Sequence, residues 1–210
     1  MAPRMIFGLS WLCLVGVSTS AGAIDLTQSG AIAQLERFSE TTQTLQANFE
    51  QVTRDSDGYI IDRSEGVFYF KAPNRFRWTY IQPFEEVIVG DGERLWHHDP
   101  NLEQVTVRAQ PDASESPVLA LTDFNVLQAR YSLAAAEDSP RIDLTPKASA
   151  TDAHAAWVVL NKGQPRVVGW QDGFSQTTRI EFSGLEYNAE LDDALFVFQP
   201  PAGVDVLEGL

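Results

Sequence analysis

The chain has 210 residues, 44% hydrophobic and 21% charged, enough apolar side chain for a buried core and too little charge for a disordered tail. Its 15 Lys and Arg stand against 29 Asp and Glu, a formal net charge of -14, which argues against a nucleic-acid partner and against adhesion to anionic lipid. A single cysteine, Cys13, excludes an internal disulfide and any cysteine-rich zinc or iron-sulfur site.

Residues 1–23 read as an export signal. Arg4 is its one charge, an apolar run follows from Met5 to Val17, and small residues close it at Ala21-Gly22-Ala23. That run is shorter than the roughly 20 residues needed to span a bilayer. Bulky Trp11-Leu12 precede Cys13 where a lipid-acceptor cysteine needs small neighbours. The expectation is cleavage after Ala23, leaving one soluble, exported, cysteine-free domain over 24–210.

Ile32, Leu35 and Phe38 recur at helical spacing after the candidate caps Thr27 and Ser29, which predicts a short amphipathic helix. From Leu45 the period changes to two: Leu45, Ala47 and Phe49 share one face, and Gln46, Asn48 and Glu50 the other. Gly66 to Lys71 is a strand apolar on both faces. After the Pro73-Asn74 turn, Phe76, Trp78 and Tyr80 alternate with Arg75, Arg77 and Thr79. Glu86 to Val89 and Arg94 to His98 form a hairpin about Asp91-Gly92, and Asp99-Pro100-Asn101 turns the chain into Gln104 to Arg108.

The stretch 114–125 interrupts this meander with a short helical piece that Ser116 and Pro117 start. Strand pattern resumes over 131–135, 141–144, 156–160, 167–171 and 177–182, with Asn161-Lys162-Gly163 and Asp172-Gly173 as hairpin signals. Phe196-Val197-Phe198 and Pro200-Pro201 close the chain. About ten short strands and two brief helical pieces predict one large, strongly curved antiparallel sheet, closed or nearly closed into a barrel, with helices covering its opening.

Catalytic signatures are missing: no G-x-S-x-G, no H-E-x-x-H and no phosphate-binding glycine loop. His97-His98-Asp99 is the one suggestive cluster, but adjacent strand residues point to opposite faces, so the two histidines cannot share a metal. No cofactor or metal is expected. The unusual feature is aromatic density over 49–96: Phe49, Phe68, Tyr69, Phe70, Phe76, Trp78, Tyr80 and Trp96. Such rings either fill a core or, on a widely curved sheet, line an apolar cavity.

An ordered set of motifs then resembles one family. Phe49-x-Gln51, Gly66 leading to Phe70-Lys71-Ala72-Pro73-Asn74-Arg75-Phe76-Arg77-Trp78, Asp91-Gly92 with Leu95-Trp96 and Asp99-Pro100, and Glu103-Gln104 resemble the LolA family of periplasmic lipoprotein carriers. The match continues through Leu144-Thr145-Pro146-Lys147 to Phe196-x-Phe198-x-Pro200-Pro201-x-Gly203-Val204. It implies a mainly β (α+β) fold: an unclosed antiparallel β-barrel with short helices forming a lid over an apolar cavity. It further implies a monomeric, non-enzymatic periplasmic carrier that takes acylated lipoproteins from an inner-membrane ABC transporter of the LolCDE type to an outer-membrane acceptor of the LolB type, without inserting into membrane.

On this resemblance the acyl-chain cavity comprises Leu45, Phe49, Phe68, Phe70, Phe76, Trp78, Tyr80 and Trp96, and the lid Pro117, Val118, Leu119 and Leu121. Arg75 and Arg77 form a basic edge that could meet a partner, or else a solvated outer face. The family's arginine before the Pro73 position, which latches the lid, is Ala72 here. Two rival readings are an acyl-sensing regulatory module of the same fold and a periplasmic hydrolase using an unrecognised carboxylate pair.

Overall fold

The computed structural model describes residues 26–111, 116–135, 139–150 and 153–209; the expected export segment 1–23 and the first two residues of the 114–125 stretch lie outside the described residues. Two antiparallel meanders make the sheet. In the first, β1 (Thr44–Arg54), β2 (Ile60–Lys71), β3 (Arg75–Gln82), β4 (Glu86–Gly90), β5 (Arg94–Asp99) and β6 (Gln104–Ala109) pair in sequence order. In the second, β7 (Tyr131–Ala135), β8 (Arg141–Pro146), β9 (Ala156–Asn161), β10 (Gln164–Gln171) and β11 (Thr177–Tyr187) do the same.

β11 docks on β1 and joins the two halves, while β12 (Asp205–Glu208) adds to β6 in parallel. The order is β12-β6-β5-β4-β3-β2-β1-β11-β10-β9-β8-β7, and its two end strands do not meet. The curved sheet is therefore an unclosed barrel. The parallel β12 departs from the all-antiparallel expectation.

Strand alternation sorts the side chains. Leu45, Ala47 and Phe49 of β1, Phe68 and Phe70 of β2, and Phe76 and Trp78 of β3 face the concave side and join one buried cluster with residues of β8 to β11. Three helices cross that side: α1 (Leu26–Thr41), α2 (Pro117–Ala120) and α3 (Phe124–Arg130). They contribute Leu35 and Phe38, Val118 and Leu119, and Phe124 and Leu127 to the same cluster. A helix with one apolar stripe must bury it, and the hollow of the sheet is where it can.

Local signals behave mostly as their chemistry predicts. Ser116 caps α2 with Pro117 at its first position, and the Asp123 carboxylate caps α3 by accepting from the Asn125 and Val126 amides. Gly92 takes a φ of 104° in the β4–β5 turn, where Asp91 Oδ1 accepts from the Glu93 and Arg94 amides.

Three expectations need correction, and the segment around Phe196, to which the sequence assigned no element, gains one. α1 starts at Leu26, so Thr27 and Ser29 lie inside its first turn. β2 starts at Ile60, because its first half is exposed on both faces and carries no alternation to read. The Asp172-Gly173 turn is longer, running to Gln176, with the positive φ at Ser175 and the Asp172 carboxylate accepting from the Phe174 and Gln176 amides. Phe196 ends a 3-10 helix, Asp193–Phe196, which crosses the convex face.

Candidate functional site: an apolar hollow beneath a helical lid

β3 supplies the centre of the site. Phe76, Trp78 and Tyr80 line a hollow of about 340 Å³ together with Val118 and Leu119 of α2. Phe49 stands edge-on to Trp78 and Tyr80, with ring centroids 4.8 Å and 5.0 Å away. Phe68 lies 4.2 Å from Trp78. Gly66, on β2 between β1 and β3, leaves room for the Phe49 ring: a Cβ there would stand 2.0 Å from the Thr79 carbonyl oxygen and 2.9 Å from the Phe49 ring. Leu45, Phe70 and Leu121 belong to the surrounding buried cluster, behind the walls.

Two sets of expected site residues lie elsewhere. Trp96 is on the convex face, because Leu95 and His97 take the inward phase of β5; its ring lies 5.6 Å from Phe198 and its indole N–H donates to Asp91. Arg75 and Arg77 also point to the convex side, where the C-terminal segment engages them. Arg75 Nη1 lies 3.0 Å from Asp193 Oδ1 with its guanidinium over the Phe196 ring, and Arg77 donates to the Leu195 carbonyl. Burial lowers the Arg77 pKa from its ordinary value. Neither arginine is a freely solvated basic edge.

The hollow also gains residues that sequence reading did not single out: Ile88 of β4, Leu95 of β5, Trp170 of β10, Ile180 of β11 and, at its margin, Gln51 and Arg108. Ile88 and Leu95 were legible in principle, since each alternates with outward residues on its own strand. Trp170 and Ile180 reach the site because β11 pairs with β1, a contact that no local pattern announces.

The lid is held by apolar contact. Among the described residues, the hydrogen bonds of α2 are local: Ala120 N to the Ser116 carbonyl, Leu119 N to Ser116 Oγ, and Thr122 to the Leu119 carbonyl. Ala72, at the position of the family's latch, donates its amide to the Gln43 carbonyl and packs against the core. Among the described residues the cap has no polar tie to the barrel, and such a cap can lift without stranding a buried donor or acceptor.

Polar groups border the open end of the hollow. Tyr80 Oη is 3.5 Å from Gln51 Oε1, and burial, reinforced by the charges of Glu86 and Asp62, pushes the Tyr80 phenol up to about 12. His97 contacts Glu86, and His98 faces Phe198 on the other side, so the two histidines do part as strand geometry requires. Among the described residues no group of three or more metal-ligating side chains is gathered, and no helix is long and apolar enough to cross a membrane. A larger recess of about 470 Å³ on the convex side mixes the charged groups Glu50, Glu65, Arg166 and Glu181 with Val67 and Ile81, and those charges make it a poorer fit for hydrocarbon.

Residues 40–199 match the model of the family described as outer membrane lipoprotein carrier protein LolA. The chain belongs to the LolA family. An outer-membrane lipoprotein carrier protein of Dechloromonas aromatica is 38% identical over 186 residues, covering 87% of this chain and 89% of that protein. One from Alkalilimnicola ehrlichii is 36% identical over 199 residues, 94% and 91% of the two chains. Among solved structures, an uncharacterized conserved protein from Thermus thermophilus superposes with a TM-score of 0.52 at 11% identity, covering 85% of this chain and 97% of that one, which speaks for the fold alone. The LolA match spans both meanders and the lid.

Proposed function

We propose that the chain is a periplasmic carrier that shelters the acyl chains of lipoproteins in the hollow beneath α2 and passes them on without chemical change. The observation that carries this reading is a cavity walled by Phe76, Trp78, Ile88, Leu95 and Ile180 and capped by Val118 and Leu119. Membership of a family described by lipoprotein carriage gives the cavity its cargo. Burial of acyl chain is worth about 0.8 kcal/mol per methylene, so one chain on the order of 15 methylenes costs roughly 12 kcal/mol to expose to water. A soluble intermediary must cover such chains yet hold them less favourably than the next site.

Loading from an ABC transporter of the LolCDE type and unloading to a LolB-type acceptor fit this requirement, as does a protein that acts as a monomer. The test mixes the purified protein with a triacylated lipoprotein in detergent, then removes the detergent. A soluble one-to-one complex with unmodified lipoprotein is expected. Precipitation of all the lipoprotein would sink the reading, and covalently altered lipoprotein would indicate a hydrolase instead.

A further inference from the structure

The concave face changes chemistry along its length. The floor of the hollow is hydrocarbon and aromatic ring, but one residue pair further along β1 and β2 the inward positions become Gln51 and Ser64, which face each other across the ladder. Tyr80 of β3, in register with Gly66 of β2, reaches across that strand and brings its hydroxyl to this level, 3.5 Å from Gln51 Oε1. Gln51 and Tyr80 both line the hollow. Beside them Thr53 and Thr178 share a 3.1 Å hydroxyl contact, and Glu86, in register with Tyr80, meets His97.

Two hydroxyls in this collar have unused donor capacity. Ser64 Oγ is buried and finds no hydrogen-bond partner among the described residues. Tyr80 Oη makes only a contact that is long for an O–H···O bond. A buried donor left unpaired is costly and calls for an explanation. The phenol keeps its proton throughout the physiological range, so it stays a donor, and nothing local takes what it offers at full strength.

We infer that this collar receives the ester or amide carbonyls at the head of the cargo's acyl chains, the Tyr80 and Ser64 hydroxyls donating to them while the hydrocarbon fills the aromatic hollow. The inference rests on the carrier reading and deepens it: the site is matched to an amphipathic neutral ligand rather than to hydrocarbon alone. The negative field of Glu86 and Asp62, which bears on the Tyr80 phenol, disfavours an ionised fatty acid at the same position. A neutral carbonyl needs a donor and, carrying only partial charge, meets much less repulsion there.

The experiment compares two synthetic lipopeptides with the purified chain, one with ester-linked acyl chains and one with ether-linked alkyl chains of the same length that lack the carbonyl. The expected result for the wild type is roughly tenfold tighter binding of the ester, the worth of one or two neutral hydrogen bonds. Tyr80→Phe keeps the ring against Phe49, and Ser64→Ala removes only a hydroxyl; each is expected to weaken binding of the ester more than that of the ether, narrowing the ester preference to about threefold or less. Equal affinities in the wild type, or a preference undiminished in both variants, overturns the collar and leaves the carrier reading standing. Failure of the wild type to bind either lipopeptide overturns the carrier reading itself.

Discussion

The two faces of the sheet are both apolar in places, yet they are finished differently. On the concave face, aromatic side chains meet a short helix that makes no hydrogen bond to the barrel among the described residues, and space remains between them. On the convex face, Val89 and Val105 of the sheet and Phe196 of the C-terminal segment are fully buried. That segment is tied down by Lys71 and Arg75 to Asp193, by Arg77 to the Leu195 carbonyl, and by four register pairs between β12 and β6. Polar ties make a permanent seal, whereas apolar contact alone makes a closure that can be exchanged for another apolar partner. A carrier needs one of each.

The largest effect expected from breaking this contrast comes from Phe76→Glu. Phe76 is 6% exposed and lines the hollow, so an ionised carboxylate there stands among apolar walls where acyl chain or α2 should pack. Recovery of soluble lipoprotein complex after detergent removal is expected to vanish; wild-type recovery would remove Phe76 from the site.

On the other face, Phe196→Ala empties a site that is 1% exposed and undoes the packing under Arg75. A loss of about 3 to 5 kcal/mol in denaturant unfolding is expected, with lipopeptide uptake retained at temperatures where the variant is folded. Were uptake to fall as far as stability, the two faces would not be separable.

A smaller change sharpens the account of the lid. Leu119→Ala trims the underside of α2, expected to cost about 2 kcal/mol of closure. The readout is increased binding of an apolar dye by the empty protein with little movement of the global unfolding midpoint. An unchanged dye signal would mean that α2 does not act as a cap.

The smallest effect is electrostatic. The Lys71 hydrogen bond and charge, joined by Arg75, hold the exposed Asp193 carboxyl below its ordinary 3.8. Stability from this pair is fully present above the ordinary carboxylate range and is lost as pH falls through the depressed value. Asp193→Asn should therefore lower the thermal midpoint slightly at pH 7, and the difference from wild type should close as acidification passes below the depressed value and protonates the carboxyl. A difference that persists at low pH would assign the effect to packing instead.

Much of this was legible from residue order because half-buried strands write their faces as alternation. Phe76, Trp78 and Tyr80 could be assigned to one face from β3 alone, and Ser116-Pro117 and Asp91-Gly92 announced a helix start and a turn through chemistry confined to a few residues. Trp96 was misplaced because aromatic character was given more weight than phase: its neighbours Leu95 and His97 hold the inward positions. Arg75 and Arg77 looked free because their partners, Asp193 and Leu195, are 118 residues away. Ser64 carried no signal and Gln51 figured only in a family motif, since a lone serine or glutamine on a strand acquires meaning as a contact only when its neighbour across the sheet is known.

The seam between β7 and β12 has a mechanical consequence. A closed barrel cannot change its bore without tearing rungs from its ladder, whereas a split ring does so by bending, every rung intact. Guests of differing girth can thus be admitted by unrolling the wall a little, at the expense of curvature rather than of backbone pairing.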